Sequence, residues 1–157
     1  MRLLHPDLVD GIDPEALLAG YDRPPPEGRP HVLVNMISSL DGATAVDGVS
    51  GALGGAADRR VFLAVRAVPD VILVAGRTAN AEHYRSPRPS TATRAARRAR
   101  GQAAAPRLAV VTGSLDLDLS LAMFLDPGEA RPLVITAESA PTNRRDEVEA
   151  VAEVLVA

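Results

Sequence analysis

The chain of 157 residues contains no cysteine. Disulfides, thiolate nucleophiles, Cys-ligated zinc and iron–sulfur clusters are therefore excluded. Lysine is missing as well, so all 17 basic residues are arginine. That removes a Schiff-base lysine, a P-loop lysine and a lysine general base. Histidine occurs only at His5, His31 and His83, without ligand spacing, and no metal site is expected. No apolar run approaches the roughly 18 residues that span a bilayer. The N-terminus carries acids early and lacks the apolar core of a signal peptide. No membrane partner is expected, and the expected location is the cytoplasm.

What the chain does hold is aliphatic. Apolar residues make up 46%, mostly Ala, Val and Leu, and aromatics only 3%. Arginines number 17 against 20 acids, a net charge of −3. Such a chain is too apolar and too weakly charged for disorder. The mild acidity argues against a dedicated nucleic-acid binder. The length is that of one domain, large enough to bury a core without staples.

Residues 1–30 read as a lead-in. Asp13-Pro14-Glu15 opens a short helix, with Pro just inside and an acid in the first turn. Leu17, Leu18 and Tyr21 give it an apolar stripe, and Pro24–Pro26 end it in an extended segment. Aliphatic runs then alternate with helical patterns. Strands are expected at about 32–38, 70–75, 107–112, 132–136 and 153–156. Between them, residues 56–67 place Val61, Phe62 and Val65 at helical spacing. Thr91–Arg100 and the stretch from Pro141 to about Ala150 also read as helices. Strand and helix in alternation predict an α/β fold: a mainly parallel, doubly wound sheet with helices on both faces.

In such sheets ligands bind beyond the carboxyl ends of the strands. The expected strands run into Ser38-Ser39-Leu40-Asp41-Gly42, Gly76-Arg77-Thr78, Thr112-Gly113-Ser114 and Thr136–Ser139. These small hydroxyl and glycine residues suit phosphates and sugars; the same residues also end strands for reasons of turn chemistry alone. The glycines of 48–55 precede a helix and fit either an anion contact or a plain flexible loop. Arg94, Arg97, Arg98 and Arg100 read as a solvated helix face, with no interleaved aromatics for base stacking. His83-Tyr84 sits in the 76–90 segment, read as a long loop without secondary structure of its own.

The string Val34-Asn35-Met36-Ile37-Ser38-Ser39-Leu40-Asp41-Gly42-Ala43 resembles the first strand and turn of the reductase domain of riboflavin biosynthesis. So do Val65–Val74, then Gly76-Arg77-Thr78, then Ala81-Glu82-His83-Tyr84. The resemblance covers residues 31–157 and implies a dihydrofolate-reductase-like fold. It further implies an NADPH-dependent reductase that converts a phosphorylated 5-amino-6-ribosylaminouracil to its ribitylamino form. Hydride would reach C1′ of the opened sugar. Thr78, Glu82 and the backbone at Ala52 match positions that contact NADPH, and Gly113 or Ser114 lies on its adenosine side. Ser50 and Arg66 match substrate positions. Arg85 and Arg88 are candidates for the substrate phosphate. Asp41 is the candidate acid, either delivering a proton or holding its turn.

Three departures accompany the resemblance. Asn35 stands where the deaminase–reductase fusions often carry lysine, which fits better the stand-alone pyrimidine reductases. No deaminase half is present. The family continues through a glycine-rich segment and further strands, so residues 31–157 read as the N-terminal part of a reductase domain whose later strands are missing. A pterin reductase shares the cofactor and is one alternative. A non-catalytic nucleotide-binding or interaction module is another. The expected partners are a small phosphorylated substrate and a second copy of the chain in a homodimer, with no nucleic acid.

Overall fold

The computed structural model describes residues 2–3, 9–19 and 27–157. They belong to two compact units, Met1–Pro69 and Asp70–Ala157. His5, the Tyr21 end of the expected apolar stripe and the Pro24–Pro26 segment lie outside the described residues.

In the first unit, β1 (Arg2–Leu3) pairs antiparallel with β2 (Val9–Asp10), a small ladder with no signature in the sequence. Helix α1 (Pro14–Ala19) begins where expected. Asp13 caps it: its carboxylate accepts from the Glu15 N–H at 3.2 Å, and its carbonyl accepts the first helical bond from Leu17. Proline at the first helical position forgoes only an N–H that would have had no partner. Helix α2 (Ala56–Arg66) matches the spacing of its apolar residues and lies against α1.

The strand expected at 32–38 does not form. Residues 30–39 carry no helix or strand, and Val32, Val34 and Met36 are all more than two-thirds exposed. β-branched residues favour an extended backbone, but a strand exists only through a partner, and that is tertiary context the local pattern does not contain.

The second unit is built by four strands whose positions agree with the sequence: β3 (Val71–Ala75), β4 (Arg107–Val111), β5 (Leu133–Thr136) and β6 (Glu153–Val156). They pair in parallel in the order β3-β4-β5-β6. The mixed α/β class with a parallel sheet is thus the observed one. Helices α3 (Gly76–Ala81), α4 (Thr91–Ala99), α5 (Ala122–Leu125) and α6 (Thr142–Glu149) occupy the connections. Sequential order with right-handed crossovers sends every connection over the same face. Alternate residues Val74, Leu108, Val110 and Val134 point to that face and join Leu115, Leu117, Met123, Phe124 and Val148 in one core. On the opposite face Val71, Leu73, Val111 and Leu155 are exposed. A second helical layer is not built by this unit.

Two sequence expectations change here. Residues 76–90 are not one long loop, because α3 follows β3 directly. Its residues are small or polar and lack apolar periodicity, which hid it. The Arg94–Arg100 cluster is not wholly solvated either. Arg97 is fully buried, and its Nε donates to the Ala103 carbonyl at 2.9 Å, closing the end of α4. Burial pulls its guanidinium pKa down, partly offset by the charge of Asp70.

Leu108 is 2% exposed in the core, whereas Leu125 is 70% exposed. Leu108→Ala should therefore cost about 2–5 kcal/mol. Leu125→Ala should stay within about 0.5 kcal/mol. Urea denaturation of both variants checks this.

Candidate functional site

The carboxyl ends of β3 and β4 lie side by side, since Ala75 pairs with Val111. Beyond them opens a groove of about 480 Å³ lined by Arg77, Asn80, Ala81, Thr112, Ser114 and Asp116. That volume is in the range of small-molecule sites. The two walls approach closely because Gly76 has no side chain. A methyl there would stand 3.1 Å from Thr112 Cβ and Leu117 Cδ2.

The hydroxyls of the groove are oriented by the backbone. Thr112 Oγ1 accepts from the Leu115 N–H at 3.1 Å, and Ser114 Oγ from the Asp116 N–H at 3.3 Å. A hydroxyl has one proton to donate and two lone pairs. Each therefore commits a lone pair to the loop and keeps its proton for a ligand. Asn80 is a strut: its amide donates to the Asp116 carbonyl at 3.0 Å and accepts from the Asp118 N–H at 3.1 Å. Arg77 is exposed on the groove wall and makes no ion pair among the described residues. One guanidinium, two free hydroxyl protons and one carboxylate make a donor-rich surface fitted to a phosphate with a neighbouring sugar hydroxyl.

Thr78 and Glu82 stand i,i+4 on α3 and its cap, with the Glu82 N–H bonded to the Thr78 carbonyl at 2.9 Å. They share a helix stripe with Ala81, which lines the groove, but do not line it themselves. Helix α3 ends in a Schellman motif: the His83 N–H donates to the Asn80 carbonyl and the Tyr84 N–H to that of Ala79. His83 occupies the left-handed position at φ +47°, where a glycine is usual. Just beyond the groove, Asp118 is held below the usual carboxylate range by the Ser120 hydroxyl and N–H, and further by the charge of His83.

Of the expected cofactor residues, Ser114 lines the groove; Gly113, Thr78 and Glu82 are chain neighbours of lining residues and do not line it themselves. Arg88 is elsewhere, in an exposed ion pair with Asp126. The neighbouring Ser86 and Pro87 line a small pocket with Pro106 and Leu108, at the amino end of β4. Arg85 is exposed. A rim of four strand ends does not form: residues 32–38 are not a strand, and Thr136 at the end of β5 is buried. Asn80 escaped the sequence reading because α3 did, and Asp116 because it lies in the loop beyond Ser114, past the strand end that was read. Once the helix is seen, Asn80 stands three residues from Arg77 on the same face.

Asp41, Ser50, Ala52 and Arg66 belong to the first unit. Ser39 and Ala43 close a tight turn, with the Ser39 N–H donating to the Ala43 carbonyl at 2.9 Å and the Ala43 N–H to Ser39 Oγ at 3.0 Å. The Ser39 hydroxyl donates to the Asp41 carboxylate, which with nearby backbone N–H groups holds it below the usual carboxylate range. Asp41 is thereby tied to the turn through Ser39. Val46 and Val49 exchange both backbone bonds around Asp47 and Gly48, which have φ +50° and +83°. This is a two-residue hairpin turn, so the glycine segment starts as an ordered structure. Ser50 accepts from the Leu53 N–H at 3.0 Å, with Ala52 exposed between them. Arg66 stacks over the Phe62 ring at 5.0 Å.

Among the described residues no helix is long and apolar enough to cross a membrane. Nor does any group of three or more His, Asp or Glu among them suit a metal ion. Residues 30–157 match the family described as the RibD C-terminal domain. The chain belongs to that family. The RibD C-terminal domain of this chain is also similar to the crystal structure of a pyrimidine reductase-like protein from Corynebacterium diphtheriae. The identity is 32%, the TM-score 0.71, and the match covers 78% of this chain. It covers 52% of the other, so the chain spans about half the length of that relative. No curated protein matches.

Two outcomes test this geometry. Gly76→Ala should destabilise the chain by about 1–3 kcal/mol through overpacking against Thr112 and Leu117, read by urea denaturation. Asp41 should titrate below an unstructured aspartate in an NMR pH series, and Ser39→Ala should raise its midpoint. Because the folded pKa is depressed, the turn's gain from the ionised carboxylate is complete above about pH 4. It is lost as pH falls through the lowered midpoint.

Proposed function

We propose that the chain forms part of an NADPH-dependent reductase acting on a phosphorylated 5-amino-6-ribosylaminouracil to give the ribitylamino form. The observation that carries this reading is the groove beyond β3 and β4, where Arg77 and the free hydroxyl protons of Thr112 and Ser114 converge. Membership of the RibD C-terminal domain family supports the reaction. The donor set fits a dinucleotide's phosphate, and Asp116 fits a ribose hydroxyl. Thr78, Glu82, Gly113 and Ser114 of the second unit would hold NADPH. When bound, NADPH supplies the hydride.

For hydride transfer the protein's share is binding and orientation. Ser50 and Arg66 are proposed for the substrate, with Arg85 as the cation for its phosphate. Arg88 would first have to leave Asp126. A general acid works best with a pKa near the working pH. Asp41 is held ionised well below neutrality, so its proposed contribution is the shape of the 39–43 turn. The reading extends to a homodimer in the cytoplasm.

The test is NADPH binding by the 157-residue chain, followed by fluorescence, and oxidation of NADPH in the presence of the aminouracil phosphate. Arg77→Ala should raise the NADPH Kd about tenfold, because it removes a charge-assisted contact. Ser114→Ala should raise it by roughly 2- to 12-fold, equivalent to about 0.5–1.5 kcal/mol. A wild-type chain that ignores NADPH would sink the reading.

A further inference from the structure

The loop that forms one wall of the groove is strained. Leu115 has φ +54°, a region that disfavours any residue with a Cβ. Its side chain is fully buried, so it cannot be swung out. Strain of this kind persists only where the surroundings over-determine it.

The surroundings here are two helices. From α6, Arg144 reaches under the loop: its Nη2 donates to the Leu115 carbonyl at 3.2 Å and to the Leu117 carbonyl at 3.0 Å, and its Nε to Leu115 at 3.4 Å. From α3, Asn80 takes the Asp116 carbonyl between them. Three consecutive carbonyls are thus claimed by side chains instead of a strand or helix. Glu147 pairs with the guanidinium one turn along α6 and fixes its direction.

We infer that Arg144 is a positioning residue for the groove: its fork holds the 112–118 loop in the strained shape that presents Ser114 and Asp116 to the ligand. This rests on the cofactor reading given above. Arg144 does not line the groove, so any influence on binding is transmitted through the loop. Without the guanidinium, the Leu117 carbonyl loses its donor, the Leu115 carbonyl keeps only the Leu117 N–H at 2.9 Å, and Leu115 can relax to negative φ. Ser114 and Asp116, its immediate neighbours, are then re-aimed. Lysine offers three donors on one nitrogen but lacks the planar fork that also aims Nε at Leu115, so it restores the hold in part.

The experiment compares the full chain with Arg144→Met, Arg144→Lys and, as a control on the same helix, Arg145→Met. Arg145 bonds the Glu138 carbonyl and does not touch the loop. NADPH affinity is measured with the thermal melt and with amide exchange of Leu115 and Leu117 in the free protein. Arg144→Met should raise the Kd at least tenfold, with at least tenfold faster exchange at the two amides and a cooperative melt. Arg144→Lys should recover part of the affinity, and Arg145→Met should stay within twofold of wild type. If Arg144→Met does not fold, Arg144→Gln decides: a Kd within twofold of wild type overturns the inference. So does equal loss in Arg145→Met. If wild type itself binds no NADPH, the cofactor reading fails and takes this one with it. Tight binding indifferent to Arg144 sinks this one alone.

Discussion

Everything described in the second unit depends on one constraint, the pairing of four parallel strands in the order in which they occur. Parallel strands share a direction, so their carboxyl ends share an edge, and the loops after β3 and β4 must meet there. The same order commits the helical connections to one face, which is why one side of the sheet carries the core and the other presents Val71, Leu73 and Leu155 to solvent. The groove is a by-product of that alignment, narrowed by the absence of a side chain at Gly76.

The four strands of this sheet were legible because each is a short aliphatic run bounded by turn residues, and period alone separates such runs from the helices between them. The run at 32–38 has the same local character and yet forms no strand. Pairing is a relation between segments, and no window of the chain encodes it. Helix α3 failed to show for the opposite reason, since Gly76-Arg77-Thr78-Ala79-Asn80-Ala81 has no apolar rhythm and is held by what surrounds it. The candidate site was legible where it follows a strand, at Arg77, Thr112 and Ser114. It was hidden where a distant residue supplies the geometry. Nothing near Arg144 in the sequence hints that it serves Leu115 and Leu117, 27 to 29 residues away.

A chain without lysine puts its arginines to structural use. Arg97, Arg107, Arg131, Arg144 and Arg145 all donate to backbone carbonyls at the ends of strands, helices or loops. A planar guanidinium offers five N–H donors in a fixed fork and stays charged when half-buried, so it can satisfy a carbonyl and an acid together. Arg107 does so at the amino end of β4, reaching the Arg131 carbonyl at 3.0 Å and the Glu153 carboxylate at 2.5 Å. Such exposed ion pairs contribute little each. The carbonyl that would otherwise lack a donor is the larger concern.

The sequential strand order also bears on how the chain is made. Val71 pairs with Arg107, Ala109 with Leu133 and Leu133 with Glu153, so each new strand meets one that left the ribosome shortly before it. No strand has to be inserted between two already joined, and none has to wait for a partner from the far end of the unit. Loop-closure entropy is therefore met in modest instalments. Contacts between near neighbours in sequence favour fast folding. The second unit can be assembled vectorially during synthesis, with Val71–Ala75 as the template on which the rest is laid down.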